Sequence, residues 1–158
     1  MAVHGDLDAF AAALPTDGVL AGLDLGTKTI GIALSDARQT VASPFETIRR
    51  RKFALDAQEL LERLALRRAI AIVLGLPLNM DGSEGPRCQS TRAFASNLAR
   101  LTDLPIGFWD ERLSSFAAEQ ILIEAGASRA RRGEVIDKVA AGIILQGFLD
   151  RLAEMRRS

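Results

Sequence analysis

Residues 70–76 read Ile-Ala-Ile-Val-Leu-Gly-Leu, an uninterrupted apolar run of strand length. A strand with one face in water alternates apolar and polar residues. A run without alternation has both faces covered, as in the interior of an α/β sheet. The chain must therefore supply helices for two faces. Phe53, Ala57, Leu60 and Leu64 recur at i, i+4, i+7 and i+11 ahead of the run, and Thr91, Phe94, Leu98 and Leu101 mark a second amphipathic helix behind it.

The other segments fit around this pair. Residues 19–25 and 29–35 are strand-length apolar runs joined by the turn Gly26-Thr27-Lys28. A third strand at 41–48 contains Pro44, which places it at an edge. Residues 105–109 form a short strand that ends in Asp110-Glu111-Arg112. Ser114 or Ser115 caps a further helix, with Ala117 and Ile121 inward. A basic loop at 126–133 holds Arg129, Arg131 and Arg132, and the final helix runs from about Glu134 to Met155. Residues 1–18 read as an N-terminal extension without chemistry, in which Asp6 caps a short helix through Ala13. The order βββαβαβαα over residues 19–158 predicts one α/β domain. It has a mixed five-stranded sheet flanked by helices, in which a three-stranded meander is followed by two parallel strands.

Composition removes most hydrolytic machinery. The chain has one histidine, His4, and one cysteine, Cys88. A Ser-His-Asp triad, a multi-histidine metal site, a Cys-rich zinc site and an intrachain disulfide are thereby set aside. Chemistry falls to carboxylates, Lys, Arg or hydroxyls. Charges balance at 20 against 20, so there is no global basic signal for nucleic acid, although 17 of the 20 cations are Arg. No apolar run approaches the roughly 20 residues of a membrane span. The first residues lack the basic-then-apolar order of a secretory signal. These features predict a soluble cytoplasmic protein.

Three acids stand in apolar surroundings. Asp24 lies inside Val19-Leu-Ala-Gly-Leu-Asp-Leu25, flanked by Gly22 and Gly26. An ionised carboxylate in a central strand is costly unless it is paired or binds metal. Glu111 follows the Ile106-Gly-Phe-Trp strand, at the carboxyl end where α/β sheets gather ligands. Asp137 begins a stripe through Ala141, Ile144 and Phe148, on a helix that is apolar almost all round. Each has a bland reading: Asp24 paired with Lys28 or an arginine, Glu111 bridged to Arg112 in solvent, Asp137 a first-turn acid favoured by the helix dipole. Their joint occurrence favours a shared purpose. Converging carboxylates raise one another's pKa or recruit a divalent cation. Oxygen-only ligands suit Mg²⁺ or Mn²⁺. Two such cations about 4 Å apart serve phosphodiester cleavage without any protein nucleophile.

Four blocks in order resemble one family. Asp24-Leu-Gly-Thr-Lys-Thr-Ile-Gly-Ile-Ala-Leu-Ser-Asp36, Val73-Leu-Gly-Leu-Pro-Leu-Asn-Met-Asp-Gly-Ser83, Asp110-Glu-Arg-Leu-Ser-Ser115 and Ile136-Asp-Lys-Val-Ala-Ala-Gly-Ile-Ile-Leu-Gln146 resemble the motifs of the YqgF (RuvX) family and span about residues 19–150. The resemblance implies an RNase H-like fold related to RuvC resolvases. It also implies nuclease activity in maturing the 5′ end of 16S pre-rRNA, with metal-binding acids at Asp24, Glu111 and Asp137. Thr29 stands where the family frequently has Arg, and Ser115 where it has Thr.

Substrate contacts are read from the same blocks. Lys28 is a phosphate contact or a plain turn lysine. Arg112 clamps a phosphate or orients Glu111. The 77–85 loop lies over substrate with Asn79 on sugar or phosphate, or is a simple connector. Arg129, Arg131 and Arg132 supply local positive potential for a nucleic-acid backbone, or form a solvated run. A branched-DNA or Holliday junction endonuclease is the alternative activity. A non-catalytic nucleic-acid-binding module, and a sugar kinase or actin-like ATPase sharing the Asp24-Leu-Gly-Thr27 turn, rank below. The last needs two such domains around its nucleotide.

Overall fold

The uninterrupted run becomes a strand buried on both faces, and the remainder is arranged around it. The computed structural model describes residues 3–112 and 129–157, with side chains of the last helix described from residue 136. In chain order the elements are β1 (Val3–His4), α1 (Leu7–Ala12), β2 (Val19–Leu25), β3 (Thr29–Ser35), β4 (Ala42–Arg49), α2 (Phe53–Leu66), β5 (Ala69–Leu76), α3 (Pro86–Ala99), β6 (Ile106–Asp110) and α4 (Arg129–Arg157). The helix expected to start at Ser114 or Ser115, with Ala117 and Ile121, lies outside the described residues.

The sheet order is β1-β6-β5-β2-β3-β4. Strands β2, β3 and β4 form the antiparallel meander, and β5 and β6 add parallel strands beside β2. Strand β4 is an edge, as Pro44 required. Pro44 sits at a bulge, where Ile32 pairs Glu46 but Ala33 pairs Pro44, so its missing N–H falls where the ladder is already interrupted.

Three expectations need correction. The sheet has six strands, not five, because Val3–His4 pairs in parallel with β6. Asp6 caps α1 as expected, accepting from the Asp8 amide, and Phe10 of that helix is fully buried, so this stretch packs into the sheet edge. The last helix starts at Arg129 rather than near Glu134, so the backbone of 129–133 is helix and not loop. Leu101 is exposed because α3 ends at Ala99, whereas Thr91, Phe94 and Leu98 are buried.

Two cores cover the two faces. On one, α2 and α3 press Leu60, Leu64, Phe94 and Leu98 onto Leu23, Ile30, Ile32, Ile72 and Leu74. On the other, α1 and α4 bring Phe10, Ala141, Ile144, Leu145 and Phe148 onto Leu20, Ala33, Ala71 and Val73. The second face is nearly smooth. A Cβ on Gly22 would meet Leu145 Cβ at 2.7 Å, one on Gly107 would enter the Phe10 ring, and one on Gly31 would enter the Asp137 backbone. Helix α4 therefore lies unusually close over β2 and β3. At its far end, Arg156 donates to Gln39 Oε1 (2.8 Å), and the amide of Gln39 donates to the carbonyls of Pro15 and Gly18.

Gly31→Ala tests this seating. The methyl group has no space, so urea unfolding should show a loss of about 1–3 kcal/mol. Gly5→Ala, with nothing within 4 Å of the added carbon, should be near neutral. Equal stability of the two variants would contradict the close approach.

Candidate active site

Parallel strands end on one rim, and the three acids meet there. Asp24 is the penultimate residue of β2, next to Gly31 across the ladder. Glu111 follows the last residue of β6, and its amide donates to the Leu76 carbonyl at 3.2 Å, extending the pairing with β5. Asp137 is carried by α4. Because α4 starts at Arg129, Asp137 sits about two turns into the helix. That removes the first-turn dipole explanation, since the dipole effect is confined to the first turn.

Glycines make room for each carboxylate. A Cβ on Gly26 would lie 3.3 Å from Asp137 Oδ2, and one on Gly75 would collide with Glu111 Oε2. Asp24 and Glu111 are buried, and Asp137 is half-buried. Asp24 is the shared neighbour, close to Glu111 on one side and Asp137 on the other. Glu111 Oε2 is buried with no hydrogen-bond partner among the described residues. Among the described residues, no three His, Cys, Asp or Glu side chains form a ready-made metal cage. The arrangement is two pairs with a common member.

Electrostatics follow from burial. Desolvation, reinforced by the charge of Glu111, pushes Asp24 up to about 7. Desolvation, then the charge of Asp24, pushes Asp137 up to about 7. Glu111 is raised chiefly by burial. Among the described residues one cation opposes all three, Arg87 near the start of α3, which also donates to the Leu25 carbonyl (3.3 Å). Sequence reading missed Arg87. Its signal was Gly85-Pro86, since Pro favours the first turn of a helix and so places the next residue at the helix start.

The remaining candidates are spread around the rim. Lys28 is exposed on the β2–β3 turn, two residues from Gly26. Arg112 does not bridge Glu111; it pairs with Asp110 (Nε to Oδ2, 2.8 Å) and donates to the Met80 carbonyl (3.3 Å). Burial opposes ionisation of Asp110, but the Arg112 hydrogen bonds outweigh it and hold its pKa low. Asn79 is exposed, and its amide donates to Ser83 Oγ (3.0 Å), closing the 77–85 loop on itself. Through Met80 and Arg112 that loop borders the acid rim. Arg129, Arg131 and Arg132 lie in the first turns of α4 ahead of Asp137, and their side chains are outside the described residues.

The raised acids set the pH dependence of the metal-free protein. Between the ordinary 3.8 and about 7, native Asp24 holds a proton that the unfolded chain releases, so stability falls as pH rises through this window. Asp24→Asn removes the effect. Above pH 7, with chelator present, the variant should be more stable than wild type by on the order of 2 kcal/mol in urea unfolding, the gain vanishing in acid. A destabilised variant would contradict the charge burial.

A family model described as "RuvX: Holliday junction resolvase" matches residues 18–151. A protein of Ruegeria sp. named "Putative pre-16S rRNA nuclease" is 64% identical, covering 99% of each chain. A protein of the same name from Rhodobacter capsulatus is 63% identical, covering 96% of each. Thermus thermophilus RuvC, solved with a Holliday junction substrate, superposes with a TM-score of 0.54 at 16% identity, over 85% of this chain and 96% of that one. Fowlpox virus resolvase, solved with Holliday junction DNA, gives 0.52 at 8% identity, over 85% and 98%. These two neighbours share the fold, an RNase H-like mixed sheet flanked by helices. By the family model over residues 18–151 and by its near full-length relatives, the chain belongs to the RuvX family.

Proposed function

We propose that this chain is a divalent-metal-dependent nuclease that hydrolyses nucleic-acid phosphodiesters, with the 5′ end of 16S pre-rRNA as its substrate. The observation that carries the reading is the buried, poorly compensated set Asp24, Glu111 and Asp137 at the carboxyl rim of the sheet. Among the described residues, three carboxylates face one nearby arginine, an excess of negative charge. The orphaned Glu111 Oε2 is a buried acceptor that lacks a donor. Both features suit a hard cation held by oxygen, Mg²⁺ or Mn²⁺. Such an ion lowers the pKa of a water and stabilises the oxygen that leaves phosphorus.

The chain's own residues do the rest. Asp24, between two acidic neighbours, would be a ligand to the ion, with Glu111 and Asp137 beside it. Glu111 and Asp137 hold the outer positions, fixed by the end of β6 and by α4. Arg87 opposes the mutual repulsion of the acids and favours their ionised forms. Lys28 on the turn, and Arg129, Arg131 and Arg132 at the start of α4, are assigned to phosphates along the strand. Asn79 and Arg112 act through the 77–85 loop that they hold at the rim. The relatives' name supports the RNA substrate. The family's description and the RuvC-like fold favour a second reading, cleavage of four-way junction DNA. No helix among the described residues is long and apolar enough to cross a membrane.

The test compares precursor rRNA fragments with four-way junction DNA, in Mg²⁺, Mn²⁺ or EDTA. Cleavage of the RNA with metal, absent in EDTA, is the expected result. Asp24→Asn and Asp137→Asn should abolish it, because a neutral amide is a poor ligand for a hard cation. Asp110→Asn should retain most activity, since Asp110 is paired with Arg112. Full cleavage by Asp24→Asn, or equal loss in Asp110→Asn, would reject the assignment. Cleavage of junction DNA alone would select the second reading.

A further inference from the structure

A cavity opens beside the same rim. It has a volume of about 440 Å³ and is lined by Gly26, Thr27, Arg50, Arg51, Arg87 and Ser90 among others. Among the described residues, three guanidinium-bearing and three hydroxyl-bearing ones line it, and no carboxylate residue does. Arg50 is held by neutral partners: it donates to the Gly26 carbonyl (2.7 Å), and its guanidinium stands 6.0 Å from the Phe94 ring centroid. Its charge is thus fixed in place but not neutralised by these contacts. Arg51 is partly compensated, pairing with Glu59 at 2.8 Å. Arg87 stands between the cavity and the acids, anchored to the Leu25 carbonyl. Leu25, Gly26 and Thr27 directly follow Asp24, so the cavity begins one residue from the acid rim.

A planar fork held rigidly next to hydroxyl groups is the donor set that suits phosphate oxygens. We propose that this cavity binds an internal phosphate of the substrate strand, flanking the phosphodiester at the acids, with Arg50 as its principal contact and Thr27 and Ser90 beside it. The strand then crosses the rim, one phosphate at Asp24 and a neighbouring one over the β2–β3 turn. This assignment rests on the nuclease reading and adds a positioning subsite to it. Arg87 serves both sides, steadying the acids and contributing to the positive wall.

The experiment measures binding apart from cleavage. Fluorescence anisotropy with a labelled single-stranded RNA, in EDTA, is read as a function of salt for wild type, Arg50→Gln, Ser90→Asp and Arg100→Gln. Arg50→Gln should weaken binding several-fold and reduce the salt slope by about one phosphate contact. Ser90 is exposed on α3, so Ser90→Asp should fold normally while placing a negative charge at the mouth and weakening binding further. Arg100, exposed at the opposite end of α3, should leave affinity and slope unchanged. RNAs with a 5′-hydroxyl and a 5′-phosphate should bind alike. A preference for the 5′-phosphate that Arg50→Gln removes would make this a terminal-phosphate site and overturn the internal assignment. Wild-type binding by both Arg50→Gln and Ser90→Asp, with metal-dependent cleavage intact in the wild type, would reject the subsite alone. Absence of both RNA binding and cleavage in the wild type would reject the nuclease reading and the subsite with it.

Discussion

Everything at the rim depends on how closely α4 lies on the sheet. Gly22 and Gly31 remove side chains where Leu145, Ala141 and the Asp137 backbone press down, and Ala140 and Ala141 remove bulk from the helix. Dispersion falls steeply with distance, so a helix lifted by one methyl group loses many contacts at once. It would also carry Asp137 away from Asp24. The packing that completes the second core is therefore the packing that assembles the acids. Stability and site geometry are set by the same surface.

The acids themselves weaken the fold that positions them. Asp36 and Asp24 lie near opposite ends of the β2–β3 hairpin and show the two extremes. Asp36 is exposed and accepts from the amides of Val41 and Thr40 and from the Thr40 hydroxyl, which hold its carboxyl down to about 2. Asp24 is buried against other acids and is pushed up to about 7. Local donors can be supplied by a turn, and Asp36 has them. Among the described residues the rim acids have a single opposing cation, Arg87, and an acceptor on Glu111 left without a donor. The two apolar cores offset that cost, which a bound cation would relieve.

What was visible beforehand depended on whether a segment's own pattern dictated its structure. The burial of β5 followed from a run that admits no solvent face, and the edge position of β4 from a proline that cannot donate. Strand β1 was invisible because two residues carry no period; its existence depends on β6 offering a free edge. The periodicity of α3 runs on to Leu101, but the chain turns after Ala99, and that residue faces solvent. Gly133 with Arg129, Arg131 and Arg132 suggested a loop, yet the backbone of 129–133 is helical, since tertiary packing of the following turns overrides weak local propensity.

The same division runs through the site. Asp24, Glu111 and Asp137 were legible because a carboxylate in apolar company is an energetic anomaly that a sequence displays directly. Their partners were not. Arg112 lies next to Glu111 in the chain but pairs with Asp110, because successive residues leaving a strand point to opposite faces. Arg87 is 63 positions beyond Asp24 in the chain; it reaches the rim only because α3 starts where β2 ends. Residue type and local period determined which groups carry charge and which segments are buried. Which charges face one another was decided by the crossing of elements distant in the chain, since electrostatic coupling depends on separation in space and not along the sequence.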